Sequence, residues 1–187
     1  MNGKTVYIRF FAGVNDSSVR RLMQTVEAKL KEKVERFVLL ISSPGGSVFH
    51  GLAAYNFLKG IPAEVITHNF GSVDSIGVVM YCAGSTRYCV PHARFLLHGV
   101  SVQFPQPTAL EEKQLEERLK GLRIDTENIA GVIAANTGKS EEEVHRAMLD
   151  RTTLNPEAAK EWGLVHEIRE GLFPAGSDLI SIEDTQA

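Results

Sequence analysis

The stretch 63–84 constrains the fold more than any other part of the chain. Ala63-Glu64-Val65-Ile66-Thr67 reads as a buried strand. Val78-Val79-Met80-Tyr81-Cys82-Ala83-Gly84 is apolar on every side and predicts a buried helix. Between them runs His68-Asn69-Phe70-Gly71-Ser72-Val73-Asp74-Ser75-Ile76-Gly77, in which Gly71 and Gly77 permit a sharp, tightly packed turn. Ser75 falls where the strand hands over to the helix. A helix N-terminus offers free N–H groups and a partial positive charge, which suit a developing oxyanion next to a nucleophilic hydroxyl. Serine is also a favoured N-cap, and this stretch alone does not separate the two roles.

The flanking segments extend the pattern. Residues 5–11 are β-branched and aromatic and predict a strand. Asp16 or Ser17 can cap a helix through about Arg36, with Val19, Leu22, Met23, Val26 and Leu30 at helical spacing. The apolar run 37–41 reads as a parallel strand covered on both faces. Ser42-Ser43-Pro44-Gly45-Gly46 is a loop, and 47–59 a helix closed by Gly60. Strand–helix repeated three times implies a mostly parallel sheet with right-handed crossovers. The Pro44-Gly45-Gly46 and Gly71–Gly77 loops both follow strands, so both belong at the carboxyl edge, where sites are usually built.

Downstream, 87–90 and 94–98 predict short strands, so that His98 ends one. A long helix is expected over 108–136, and its charged run 111–120 reads as a solvated face. Ser140 and Glu143 form a capping-box pattern for a helix through Leu149. Residues 150–154 read as a linker, and Asn155-Pro156 opens a helix that Gly163 ends. Residues 164–168 form a last strand. The tail 169–187 shows no pattern, and partial disorder is expected there.

The bulk properties narrow the function classes. A chain of 187 residues, 43% hydrophobic, is expected to form one domain over 1–168. A net charge of −3 argues against nucleic-acid binding. The two cysteines, Cys82 and Cys89, sit in apolar surroundings and read as small buried hydrophobes. No disulfide framework, metal site, signal peptide or membrane span is indicated, so a cytoplasmic location is expected.

A serine hydrolase needs a nucleophile, a histidine base, an acid that orients it, and N–H donors for the oxyanion. Ser75, His98, Asp150 and the Gly45-Gly46 loop supply candidates. His50, His68 and His92 also lie near loops, and spacing does not choose among the histidines.

Four blocks, taken together, resemble a known family. They are Ser-Pro-Gly-Gly-Ser at 43–47, Gly-Ser-Val-Asp-Ser-Ile-Gly at 71–77, Arg-Phe-Leu-Leu-His at 94–98, and Asp150 followed by Asn-Pro-Glu-Ala-Ala at 155–159 and Trp-Gly-Leu-Val at 162–165. In order and spacing they resemble the proteolytic subunit of the Clp protease. The resemblance implies a crotonase-like α/β spiral with a protruding helical handle. It implies Ser75 as nucleophile, His98 as base, Asp150 as third member, and the Gly46 and Ile76 N–H groups as oxyanion hole. It implies no cofactor. It further implies subunits in rings of seven, paired around a closed chamber that an ATP-driven unfoldase feeds with peptides or unfolded proteins.

The chain departs from the family in three places. Only 43 residues precede Pro44, where the family has an axial loop facing the unfoldase. Residues 99–105 replace a Gln-Pro and glycine-rich strand that joins the two rings, and Pro105 and Pro107 lack the N–H such pairing needs. Weaker ring pairing is therefore expected. Val73-Asp74 stands where small apolar residues are usual. Divergent Clp-like peptidases, including those that mature phage heads, keep the core and vary these parts. Two other readings share the fold: a non-catalytic scaffold or regulatory subunit, and a crotonase-like acyl-CoA enzyme with a carboxylate acid/base.

Overall fold

The structure, a computed structural model, describes residues 4–102 and 109–184. The first half runs β1 (Thr5–Phe11), α1 (Asp16–Lys31), β2 (Arg36–Ser43), α2 (Val48–Gly60), β3 (Glu64–Asp74), α3 (Ile76–Tyr81), β4 (Thr86–Cys89) and β5 (Arg94–Leu96). The second runs α4 (Glu112–Thr137), α5 (Glu141–Leu149), β6 (Thr153–Leu154), α6 (Pro156–Glu161), β7 (Glu167–Ile168) and β8 (Leu179–Glu183). The strands form one sheet in the order β6-β5-β3-β2-β1-β8, and β4 pairs with β3 and β7. Every pairing is parallel except β5 with β6.

Side-chain alternation explains how the sheet is covered. Val6, Ile8 and Phe10 of β1 are buried together with Val19, Leu22 and Val26 of α1. Each such side chain contributes about 1.5–3 kcal/mol by leaving water. Phe37 to Ile41 of β2 are buried without a break, as the continuous apolar run requires. On the opposite side of β1, Tyr7 meets Phe173 with ring centroids 5.8 Å apart. The C-terminal stretch thus crosses the second face of the sheet.

β3 forks. Ile66 to Asn69 pair with β4, and Ser72 to Asp74 pair with β5. Asn69 holds the fork and is fully buried. Its Nδ2 donates to the Arg94 carbonyl at 2.8 Å, and its Oδ1 accepts from the Gly71 N–H at 2.9 Å. Its carbonyl accepts from Val90 N–H at 2.9 Å. A buried amide with its groups satisfied fixes strand order at little net cost.

Arg87 is a second polar tie. It is 4% exposed, yet among the described residues no carboxylate pairs with it. Its guanidinium donates to the carbonyls of Leu164, Gly84, Asn136 and Gly163 at 2.6–3.3 Å. Asn136 lies at the C-terminal end of α4, where carbonyls lack intrahelical partners and attract a cation. The two cysteines are inert fillers: burial pushes the Cys82 thiol up to about 12 and that of Cys89 to about 11.

Several boundaries differ from the sequence expectations. The N-cap of α1 is Asn15, in a capping box with Ser18, rather than Asp16 or Ser17. The helix stops at Lys31 because the chain must turn, with Lys33 at φ 59°, to start β2 at Arg36. Residues 150–154 are not only a linker, since Thr153 and Leu154 pair antiparallel with β5. The tail is not pattern-free: β8 lies alongside β1. It is held by ion pairs of Arg9 with Glu183 and of Lys29 with Asp178, and by Arg21 donating to the Ser181 and Glu183 carbonyls. α4 starts at Glu112, and the Thr108 start expected for it lies outside the described residues. The capping box of Ser140 with Glu143 and the Asn155-Pro156 start form as the sequence indicates.

His68 gives this fold an acid limit. Burial lowers its pKa from 6.5 to about 4, while its Nε2 lies 3.0 Å from the Arg169 carbonyl. The folded imidazole therefore stays neutral where the unfolded one takes up a proton. Stability should be full above about pH 6.5 and fall as the pH drops toward 4, by on the order of 2–3 kcal/mol. Urea unfolding across this range should show the loss, and His68→Gln should flatten it. An equally steep acid limb in the variant would place the effect elsewhere.

Candidate active site

The site begins where β3 and β5 end side by side. Ser72 pairs with Arg94, Val73 with Phe95 and Asp74 with Leu96. The Ser75 N–H then donates to the Leu96 carbonyl at 2.8 Å. Ser75 leaves one strand, and Leu97-His98 leaves the other, at the same level. His98 thus lies two residues beyond the paired part of its strand rather than within it.

Ser75 has φ 57° and ψ −129°, an unusual conformation for a residue with a side chain. Holding it there costs on the order of 1–3 kcal/mol. Its side chain makes no capping bond to α3. The N-cap role that the sequence left open is therefore not the one it plays here. Ile76 opens α3, so its N–H has no partner one turn earlier.

The Gly45-Gly46 loop comes up against this turn. Val14 and Gly46 form a bridge in which Val14 N–H donates to the Gly45 carbonyl and Ser47 N–H to the Val14 carbonyl. This pattern leaves the Gly46 N–H unused. Gly46 has φ 147°, and a Cβ there would sit 2.3 Å from the Val14 carbonyl oxygen. Gly45, at φ 86°, lies so close that a Cβ would meet the Asp74 carbonyl oxygen and the Ser75 Cβ at 2.7 Å. Only glycine lets this backbone approach the serine.

Gly46, Ser75, Ile76 and His98 line one cavity of about 70 Å³, with Leu97 and Met148 among its walls. It adjoins a groove of about 610 Å³ beneath α4, sharing Gly46, Val48, Val100 and Ser101 with it. The other histidines are engaged elsewhere. His50 Nδ1 lies 2.9 Å from the Ser47 hydroxyl, His68 faces Arg169, and His166 Nδ1 accepts from the Arg87 N–H. His92 and His145 do not line this cavity. Of the six histidines, His98 lines the cavity that Ser75 lines.

Nδ1 of His98 lies 2.7 Å from the Gly99 carbonyl. A carbonyl only accepts, so Nδ1 carries the proton and Nε2 is left as the basic nitrogen. Asp150, the expected third member, is not brought to His98. It is the C-cap of α5, exposed, with its N–H bonded to the Arg146 carbonyl. The helix closes there in a Schellman turn: Thr152 N–H donates to Ala147, Arg151 N–H to Met148, and Arg151 sits at φ 52°. The Thr152 carbonyl nevertheless accepts from Leu97 N–H at 2.9 Å. Asp150 therefore lies two residues along a chain that runs directly beside the base. Among the described residues, no hydrogen bond joins Ser75 to His98 or His98 to Asp150.

The sequence reading assigned no role to Asn69 or Arg94. Asp74 is unusual for its position and is not the acid expected from the sequence, which is Asp150; the structure engages its carboxylate with Arg94 at 2.6 Å and Ser72 at 2.7 Å. The signal was an acidic residue next to the candidate nucleophile with a basic one near the next strand start.

This layout, with parallel strands spiralling under helices and α4 projecting as a handle, is the crotonase-like arrangement of Clp peptidases. A family model described as Clp protease matches residues 4–171, and the chain belongs to that family. It is 34% identical over 136 residues to ATP-dependent Clp protease proteolytic subunit 1 of Streptomyces avermitilis, covering 72% of this chain and 61% of that protein. It is 33% identical over 132 residues to proteolytic subunit 2 of Corynebacterium efficiens, covering 70% and 64%. The chain spans less than two thirds of the length of the curated relatives it matches. A solved ClpP1 mutant from Listeria monocytogenes superposes with a TM-score of 0.76 at 26% identity, covering 90% of this chain and 92% of that one. No helix among the described residues is long and apolar enough to cross a membrane.

The close approach of Gly45 is open to test. Gly45→Ala should lower any Ser75-dependent activity by about 10²-fold, because a displaced loop misplaces the neighbouring N–H donor. Thermal unfolding should still show a cooperative fold. Full activity in a folded variant would mean that the loop has no part in the site.

Proposed function

We propose that the chain is a serine endopeptidase that cleaves peptides or unfolded proteins within an oligomer. The observation that carries this reading is Ser75: it is strained, does not cap its helix, and shares a cavity with His98, Gly46 and Ile76. Ser75 Oγ attacks the scissile carbonyl while His98 Nε2 takes its proton. The Gly46 and Ile76 N–H groups receive the oxyanion. His98 then protonates the leaving amine, and water repeats the sequence on the acyl-enzyme. The adjoining groove of about 610 Å³ has room for part of an extended peptide.

Among the described residues no carboxylate lines the cavity itself, Asp125 lying in the adjoining groove, so an acyl-CoA reading lacks an acid/base beside Ser75. Asp74 does not supply one, being bound to Arg94.

In this reading the third member joins on assembly. Gly99, whose carbonyl holds Nδ1, begins the segment that leads into α4. The first part of α4 projects with Leu115, Leu119 and Ile124 about half exposed. Phe49 and Leu149, 76% and 80% exposed, add apolar surface to a single subunit. Such surface suits a cyclic oligomer, by family resemblance a seven-membered ring. Docking of α4 on a neighbour shifts 99–102, frees Nδ1 from Gly99 and lets Asp150 take its place.

Ser75→Ala should reduce peptide hydrolysis by about 10⁴–10⁶-fold, with fold and assembly kept. Retention of more than a few per cent of activity would remove Ser75 from the mechanism. Asp150→Asn should cost about 10³–10⁴-fold. A loss under tenfold would leave the Gly99 carbonyl as the sole orienter of His98.

Activity per subunit should rise with protein concentration as assembly completes the site. Analytical ultracentrifugation beside the peptidase assay tests this. A monomer with full, concentration-independent activity would contradict it.

A further inference from the structure

Ser72, Asp74 and Arg94 form a closed ring at the point from which the nucleophile and the base diverge. Ser72 and Asp74 project from the same face of β3, two residues apart. Arg94 stands opposite Ser72 in the β3–β5 register. The Ser72 hydroxyl donates to Asp74 Oδ1 at 2.7 Å and accepts from Arg94 Nε at 2.9 Å. Arg94 Nη2 donates to Asp74 Oδ2 at 2.6 Å. Each polar atom used has a partner of the right kind, and the one carboxylate meets one guanidinium. The Asp74 side chain is only 11% exposed, whereas that of Arg94 is 54% exposed.

We propose that Ser72, Asp74 and Arg94 are positioning residues for the nucleophile: a charge-neutral ring that clamps β3 to β5 and so sets Ser75 against His98. This rests on the peptidase reading above. The ring lies directly before the bond from Ser75 N–H to the Leu96 carbonyl, and Asp74 itself carries the carbonyl against which Gly45 packs. Loosening the clamp moves the serine, its base and the oxyanion loop together. The ring has an electrostatic part as well. Without Arg94, the Asp74 carboxylate, 11% exposed, is left without its cationic partner at the residue preceding Ser75.

The test compares wild type with Arg94→Met, Asp74→Asn and the double variant. Steady-state kinetics with a fluorogenic peptide and the amide hydrogen exchange of Ser75 are the readouts. Arg94→Met should lower kcat by about 10²-fold with KM within about twofold, since a small misplacement costs that much. Adding Asp74→Asn removes the stranded carboxylate and should recover about tenfold of that loss. The Ser75 amide should exchange at least about tenfold faster in Arg94→Met, while amides of α1 stay protected. If Arg94→Met does not fold, Arg94→Lys keeps the charge but not the two-pronged bridge and should show a smaller loss of the same kind. An unchanged kcat in a folded variant, a loss carried wholly by KM, or unaltered Ser75 exchange overturns the proposal. If wild type itself cleaves nothing, the peptidase reading falls, and the exchange result alone decides the clamp.

Discussion

The site depends on one constraint, the short parallel pairing of β3 with β5. Only three residue pairs make it, from Ser72–Arg94 to Asp74–Leu96. Ser75, Ile76 and His98 all lie within two residues of its end. Ser75 turns into α3 on one side, and His98 lies just past β5 on the other. Asn69 secures the start of that pairing from within the core, and the Ser72–Asp74–Arg94 ring secures its end. A strained serine can persist only where its surroundings are over-determined, and these two polar devices with the packed glycine loop provide that.

Much of this was legible in the sequence, for identifiable reasons. The run Phe37–Ile41 and the strand–helix alternation dictate a buried parallel sheet, because no other arrangement covers both faces of so apolar a strand. The Gly45-Gly46 loop and the Gly71–Gly77 turn fall together because parallel strands bring their carboxyl ends to one edge. Other features could not be read locally. Whether Ser75 caps its helix depends on its φ and ψ, which depend on what β5 and the glycine loop press against it. Asn15 and Asp16 are equally good caps, and the capping box with Ser18 decides between them. β6 and β8 are short edge strands whose partners lie far away in sequence, so neither shows a pattern of its own. His98 could be singled out from residues alone only through the family blocks. In the structure His98 lines the cavity beside Ser75, while His50, His68 and His166 are hydrogen-bonded elsewhere.

In the proposed reading, the chain holds its candidate catalytic groups in a partly assembled state. His98 has its tautomer fixed by the Gly99 carbonyl, which orients the ring without adding charge. A carboxylate in that position would also stabilise the imidazolium that forms during attack. Asp150 is held back by the Schellman turn that ends α5, on the chain that borders Leu97. The apolar surface of α4 and the control of His98 meet in one segment, since 99–111 joins them covalently. In the proposed reading, this connection is the physical route by which contact between subunits sets His98. It needs only a shift of the Gly99 carbonyl, while β3, β5 and the glycine loop stay fixed.

The central claim is that Ser75 is a nucleophile activated by His98. Labelling with a fluorophosphonate probe, read by mass spectrometry of the peptide that carries Ser75, tests it most directly because the reaction needs no knowledge of the natural substrate. The account predicts stoichiometric modification at Ser75 in the assembled wild-type protein and almost none in His98→Ala. No modification of a folded, oligomeric protein, or equal modification with and without His98, would contradict it.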